Sequence, residues 1–165
     1  IDHPARVRTL ISVMSSTGDP DVGQPTPEAL AQLLAPPATS RPEHVAGHAA
    51  GLRIWGSPGL VDEASQDQWS GEAYDRAFRP EGVAAQVHAI VGAESRTEAL
   101  GRLAIPTLVI HGTADTLIDP SGGRRTADAV PGARLVEIEG MGHDYPEALW
   151  DRWVALVAEH TLADR

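Results

Sequence analysis

Two residues with acid–base chemistry, an aspartate and a histidine, each follow an apolar segment of this 165-residue chain. Asp115 comes shortly after the run 107–111, and His143 comes shortly after the run 134–139. Both residues lie among small residues, and the glycines there permit tight turns and let a neighbouring group approach the imidazole closely. Ligands of open parallel sheets bind beyond the carboxyl ends of the strands, so the pattern places both side chains at one such edge. There an aspartate can orient a histidine that serves as a general base.

Three segments are predicted to be strands: 7–14, 107–111 and 134–139. Each is rich in β-branched or apolar residues and is bounded by Gly, Pro or Ser. The second is continuously apolar, as expected for a parallel strand covered on both faces, whereas the third alternates and is expected nearer an edge of the sheet.

Helical signals fill most of the intervening sequence. Thr26 is a predicted N-cap followed by a proline, and Ser40 and Glu43 have the spacing of a capping box. The last helix, after Pro146, has apolar residues at helical spacing. The predicted helices cover residues 27–35, 41–52, 62–78, 82–91, 95–103 and 121–130, followed by this C-terminal helix.

The order of elements predicts an α/β protein with a parallel sheet of about three strands and packed helices. Residues 1–18 and 104–165 are expected to form the sheet-containing core. Residues 19–103 are expected to be a mostly helical insertion.

The composition excludes several classes of function. The formal net charge is −10, which disfavours binding to phosphate backbones. There is no cysteine, so thiol catalysis, disulfides and thiolate metal sites are excluded. The apolar runs are much shorter than the ~20 residues of a membrane-spanning helix. We therefore expect neither a nucleic-acid partner nor a membrane partner.

Several segments together resemble the α/β-hydrolase family. Residues 105–112, with Asp115 and Pro120 after them, resemble its acid-bearing turn, and residues 140–143 resemble its histidine loop. Residues 3–10 look like the strand that precedes the family's cap insertion. The family's chain order is nucleophile, acid, histidine, and Asp115 before His143 obeys it. The resemblance is closest to the esterase branch near aclacinomycin methylesterase.

The resemblance implies the C-terminal part of such a hydrolase, with residues 19–103 as the cap or lid. Asp115 and His143 would be the catalytic acid and base of carboxylic ester hydrolysis through an acyl-serine intermediate. The substrate would be a small-molecule ester or a related acyl compound. No metal and no organic cofactor would be required.

The family's nucleophile motif, Gly-x-Ser-x-Gly, does not occur in the sequence. Ser16 and Ser121 each have the second glycine without the first, and Ser121 also follows the acid. The oxyanion-hole loop of the His-Gly-Gly type is absent as well. We therefore expect the nucleophile on a missing or separate N-terminal segment.

A chain of this kind is expected to be inactive by itself and to associate with a complementary N-terminal chain or as a homo-oligomer. The unpaired edge of its first strand would favour such pairing. The alternative is a non-catalytic binding or assembly remnant of the fold.

Other polar residues have competing interpretations. Asp119 could be the acid but is placed to cap a helix, and Asp144 is a predicted N-cap rather than a second acid. His44 and His48 stand four apart on a predicted helix, which favours a solvent-facing pair over metal ligands. His111 is predicted to be structural and to bond near the acid turn.

Most aromatic residues lie in the insertion and at the C terminus. Those of the insertion are either its own small core or an apolar lid over an acyl or aromatic substrate. They are Trp55, Trp69, Tyr74 and Phe78. Trp150 and Trp153, on the C-terminal helix, are predicted to be packing residues.

Overall fold

In the computed structural model, which describes residues 1–162, three strands form a parallel sheet. They are β1 (Leu10–Val13), β2 (Thr107–Gly112) and β3 (Arg134–Ile138), in the spatial order β1-β2-β3. Residues 10–13 pair with 107–110, and residues 108–112 pair with 134–138. β2 is buried throughout and β3 lies at an edge, as the apolar and alternating patterns predict.

Seven α-helices lie in the described residues 1–162, and most begin and end close to the predicted limits. They are α1 (Pro27–Leu33), α2 (Arg41–Trp55), α3 (Glu63–Arg76), α4 (Pro80–Val91), α5 (Thr97–Leu100), α6 (Ser121–Ala129) and α7 (Trp150–Leu162). The caps explain the starts of α1 and α2. The side chains of Thr26 and Ser40 accept the N–H groups of Ala29 and Glu43, at 3.2 and 3.4 Å.

The first strand is shorter than the predicted segment 7–14. Residues Pro4–Arg6 form a 3-10 turn, and β2 pairs only with residues 10–13 of this segment. A strand persists only where its backbone groups find partners, so the apolar residues beyond the pairing do not extend it.

The main core lies between the sheet and α7. Leu108, Ile110 and Ile138 are fully buried and pack with Trp153 and Leu156 of α7. Burying a side chain of this size stabilises the fold by about 1.5–3 kcal/mol. This packing fixes the ends of β2 and β3, from which the two polar loops depart.

Within residues 1–162, no helix is both long enough and apolar enough to cross a membrane. The division into a core and an insertion at residues 19–103 stays a prediction.

Candidate active site

Two loops leave the carboxyl ends of β2 and β3 and bind each other directly. We call residues 113–120 the acid turn and residues 139–146 the histidine loop. The N–H of Ala114 donates to the carbonyl of Met141 at 2.9 Å, and the hydroxyl of Thr113 accepts the N–H of Gly140 at 2.9 Å. The adjacent parallel strands therefore deliver their functional residues to one shared place.

Asp115 and His143 meet at the junction of these loops. Nδ1 of His143 lies 2.7 Å from Oδ2 of Asp115, which is a short hydrogen bond. The other carboxylate oxygen accepts the N–H groups of Leu117 and Ile118, at 2.9 and 2.8 Å. Asp115 thus forms an Asx-type turn with one oxygen and holds the imidazole with the other. The structure brings the two residues together, while their catalytic role stays a prediction.

The surroundings of Asp115 favour its charged form. Burial by itself would raise the pKa of this carboxyl group, but hydrogen bonds from His111, His143 and the Ile118 N–H together hold that pKa below its ordinary value. The carboxylate is therefore ionised at neutral pH and acts as an acceptor. Nδ1 of His143 must then carry a proton, which leaves Nε2 as the basic ring nitrogen.

His111, near the end of β2, hydrogen-bonds to the acid turn. Its ring is fully buried, and Nε2 lies 2.8 Å from the carbonyl oxygen of Ile118 and 3.4 Å from Oδ2 of Asp115. A carbonyl oxygen only accepts, so Nε2 carries the proton and donates. A Cβ at Gly123 would overlap the His111 ring, so the first turn of α6 packs directly on it. These contacts match the structural role predicted for His111.

A cavity of about 350 Å³ lies beside His143. His143 is partly exposed, and within residues 1–162 no hydrogen bond occupies its Nε2. Aromatic side chains from α2, α3, the histidine loop and α7 line the cavity. They are Trp55, Trp69, Tyr145 and Trp150.

These contacts divide the aromatic residues of the insertion into two groups. Trp55 and Trp69 line the cavity beside His143. Tyr74 and Phe78 instead stack with each other, with ring centroids 4.4 Å apart, in the insertion itself. Trp150 packs as predicted, since it stacks on Trp69, and it is also exposed and borders the cavity.

The alternative acid, Asp119, lies outside the site. Its carboxylate accepts the N–H of Ser121, the first residue of α6, at 2.9 Å, although the N-cap position itself is occupied by Pro120. The predicted N-cap role of Asp144 is wrong: its buried carboxylate accepts the N–H of Ser57 at 3.1 Å instead. Sequence reasoning missed Ser57, whose only local signal is its position in a Gly-Ser-Pro-Gly turn after α2.

The two serines with partial nucleophile motifs are not at the site. Ser16 accepts the N–H of Gly18, and Ser121 accepts the N–H of Gly23. Among residues 1–162, neither hydroxyl is hydrogen-bonded to His143.

The two histidines of α2, His44 and His48, have different surroundings. His44 lies against the rings of Tyr74 and Phe78, at 5.6 and 5.9 Å, whereas His48 is exposed. The prediction of a solvent-facing pair is therefore wrong for His44. The described part of the chain contains no group of three or more side chains arranged to hold a metal ion.

Comparison with known proteins identifies the family. The family model described as "Serine aminopeptidase, S33" matches residues 2–147. The chain belongs to this family of α/β-hydrolases. Two curated relatives are rhodomycin D methylesterases, DauP of Streptomyces sp. strain C5 and DnrP of Streptomyces peucetius. They are 42% and 41% identical over 69 residues, which are 42% of this chain and 23% of each relative.

Solved structures share the fold. The enol-lactonase from Burkholderia xenovorans LB400 has a TM-score of 0.71 at 25% identity, over 97% of this chain and 58% of the lactonase. The esterase RhEst1 from Rhodococcus sp. ECU1013 has a TM-score of 0.68 at 20% identity, over 96% of this chain and 57% of the esterase. The chain thus spans little more than half the length of these proteins.

Proposed function

We propose that this chain supplies the acid and the general base of a serine hydrolase that cleaves carboxylic esters. The observation that carries the proposal is the 2.7 Å bond between Nδ1 of His143 and Asp115 at the carboxyl edge of the sheet, beside a cavity that His143 lines. The family order of acid before histidine supports the same assignment.

The mechanism follows from the protonation states. A serine hydroxyl is a weak nucleophile at neutral pH, so Nε2 of His143 accepts its proton as the oxygen attacks the ester carbonyl. The positive charge then formed on the imidazole is stabilised by the adjacent carboxylate of Asp115. His143 returns the proton to the departing alkoxide, and the same steps with water release the acid from the acyl-serine.

The nucleophile and the oxyanion-hole donors lie, in this proposal, outside the 165 residues. The sequence contains no Gly-x-Ser-x-Gly, and the chain spans 57–58% of the two solved relatives described above. We infer that a complementary N-terminal segment supplies the nucleophile and the oxyanion-hole donors and completes the sheet beside β1, whereas another copy of the chain in a homo-oligomer would cover that edge without supplying a nucleophile. An exposed apolar strip on α7, including Val154 at 67% exposure, supports association.

The proposed substrate is a small-molecule ester with a planar or apolar portion. Four aromatic side chains line the cavity beside His143, together with the polar residues His48 and Gln66, and aromatic walls favour flat apolar groups. The names of the curated relatives, which are methylesterases, favour an ester over an amide.

The test compares two preparations of the protein. The chain produced alone is expected to hydrolyse a p-nitrophenyl ester no faster than buffer, because it has no activated serine. Material purified from the native host is expected to be active and to carry Gly-x-Ser-x-Gly, either on a longer form of this chain or on a second polypeptide, and intact masses distinguish the two. Hydrolysis by the chain alone would contradict the proposal, and an inactive native complex would favour the binding or assembly remnant.

A further inference from the structure

The carboxylate of Asp144, the residue after His143, is bound by Ser57, which lies just after the end of α2. The backbone N–H of Ser57 lies 3.1 Å from each carboxylate oxygen, and the Ser57 hydroxyl donates to Oδ1. Asp144 is only 8% exposed, and among residues 1–162 no ion pair involves it. A buried carboxylate without a cation depends on such hydrogen bonds to stay in place.

The hydroxyl of Ser57 both donates and accepts a hydrogen bond. It donates its one hydrogen to Asp144 and accepts the N–H of Gly142 at 2.9 Å, and the residue is 0% exposed. Because its hydrogen is committed to Asp144, Ser57 cannot also donate to His143. Ser57 is therefore not a substitute nucleophile, and its contacts hold the residues on both sides of His143.

The last turn of α2 makes further bonds to the two loops. The carbonyl of Trp55 accepts the N–H of His143, and the carbonyl of Ile54 accepts the hydroxyl of Thr116 at 2.8 Å. The last carbonyls of a helix have no partner inside the helix. Here the acid turn and the histidine loop supply those partners, so the end of α2 binds both.

Gly142 allows these backbones to touch. A Cβ at this position would overlap the carbonyl of Trp55 and the backbone of Gly56. The histidine loop therefore lies directly on residues 54–57, with no side chain between them.

We propose that Ser57 and Asp144 are positioning residues that fix His143 for catalysis, an inference that rests on the proposed role of His143 as general base. Asp115 binds only Nδ1 of the His143 imidazole. The position of the His143 backbone must therefore be set by other contacts. Those contacts come from residues 54–57, so the insertion sets where the ring stands. A catalytic group displaced by ~1 Å loses about 100-fold in rate.

The test uses Ser57→Ala and Asp144→Asn, with Ser65→Ala as the matched control. Ser65 also donates its hydroxyl to an aspartate, Asp62 at 2.6 Å, but on the exposed start of α3. In the chain alone, we expect Ser57→Ala to broaden or abolish the deshielded NMR signal of the His143 Nδ1 proton. In the native complex, we expect kcat to fall about 10- to 100-fold with KM nearly unchanged. Ser65→Ala should change neither.

A folded Ser57→Ala protein with an unchanged His143 signal would overturn the inference. If Ser57→Ala does not fold, Asp144→Asn replaces it, because the asparagine side chain keeps the shape of aspartate and one acceptor oxygen. An unchanged His143 signal in that variant would likewise overturn the inference. If neither variant folds, the test is amide hydrogen exchange in the unmodified chain. The amides of Gly142 and His143 should exchange with solvent as slowly as those of β2, and rapid exchange would contradict the proposal. These spectra do not depend on catalysis, so they can fail separately from the proposed function.

Discussion

Replacing His143 by alanine in the active protein proposed above is expected to lower kcat by about 10⁴- to 10⁶-fold, the range typical of losing the base of a serine triad. Without Nε2 nothing accepts the proton of the attacking hydroxyl, and nothing protonates the leaving alkoxide. KM should change much less, because the aromatic walls of the cavity remain. Initial rates of ester hydrolysis measure the effect.

The control for this prediction is His88→Ala. His88 is exposed on α4, a helix with no buried residue, so its removal should leave the rate unchanged. A loss of less than about tenfold in the His143→Ala protein would remove this histidine from the mechanism.

Replacing Asp115 by asparagine is expected to lower kcat by about 10⁴-fold. The amide keeps the shape of the side chain and can still accept the N–H groups of Leu117 and Ile118. It lacks the negative charge, however, so it neither fixes the tautomer of His143 nor stabilises the imidazolium. Rates and circular dichroism of the same preparation separate this effect from a loss of fold.

Asp119→Asn is the matched control, since Asp119 was the competing candidate for the acid. Its exposed side chain accepts only the N–H of Ser121 at the start of α6, so the substitution should leave the rate unchanged and cost at most about 1 kcal/mol of stability. If Asp119→Asn had the larger effect on rate, the assignment of the acid would be wrong.

Much of the architecture could be predicted because its causes are local. The continuous apolar run of β2, the alternation of β3 and the caps at Thr26 and Ser40 all act within a few residues. The meeting of Asp115 and His143 also follows from a general rule, since parallel strands present their carboxyl ends together.

The features that could not be predicted depend on partners distant in sequence. Asp144 has the local pattern of a helix cap, yet its partner, Ser57, lies 87 positions away. His44 has the spacing of a ligand pair with His48, but the ring of Tyr74 on α3 packs against it. In each case the side chain's role is set by a tertiary contact and not by the local sequence pattern.

The most direct measurement compares the double variant His143→Ala/Asp115→Asn with the two single variants in the native complex. If the carboxylate acts only through the imidazole, removing it after His143 is gone costs nothing further. The double variant should therefore hydrolyse ester at the rate of His143→Ala alone. Losses that multiply, so that the double variant is slower by the product of the two single effects, would show that the residues act separately and would contradict the account.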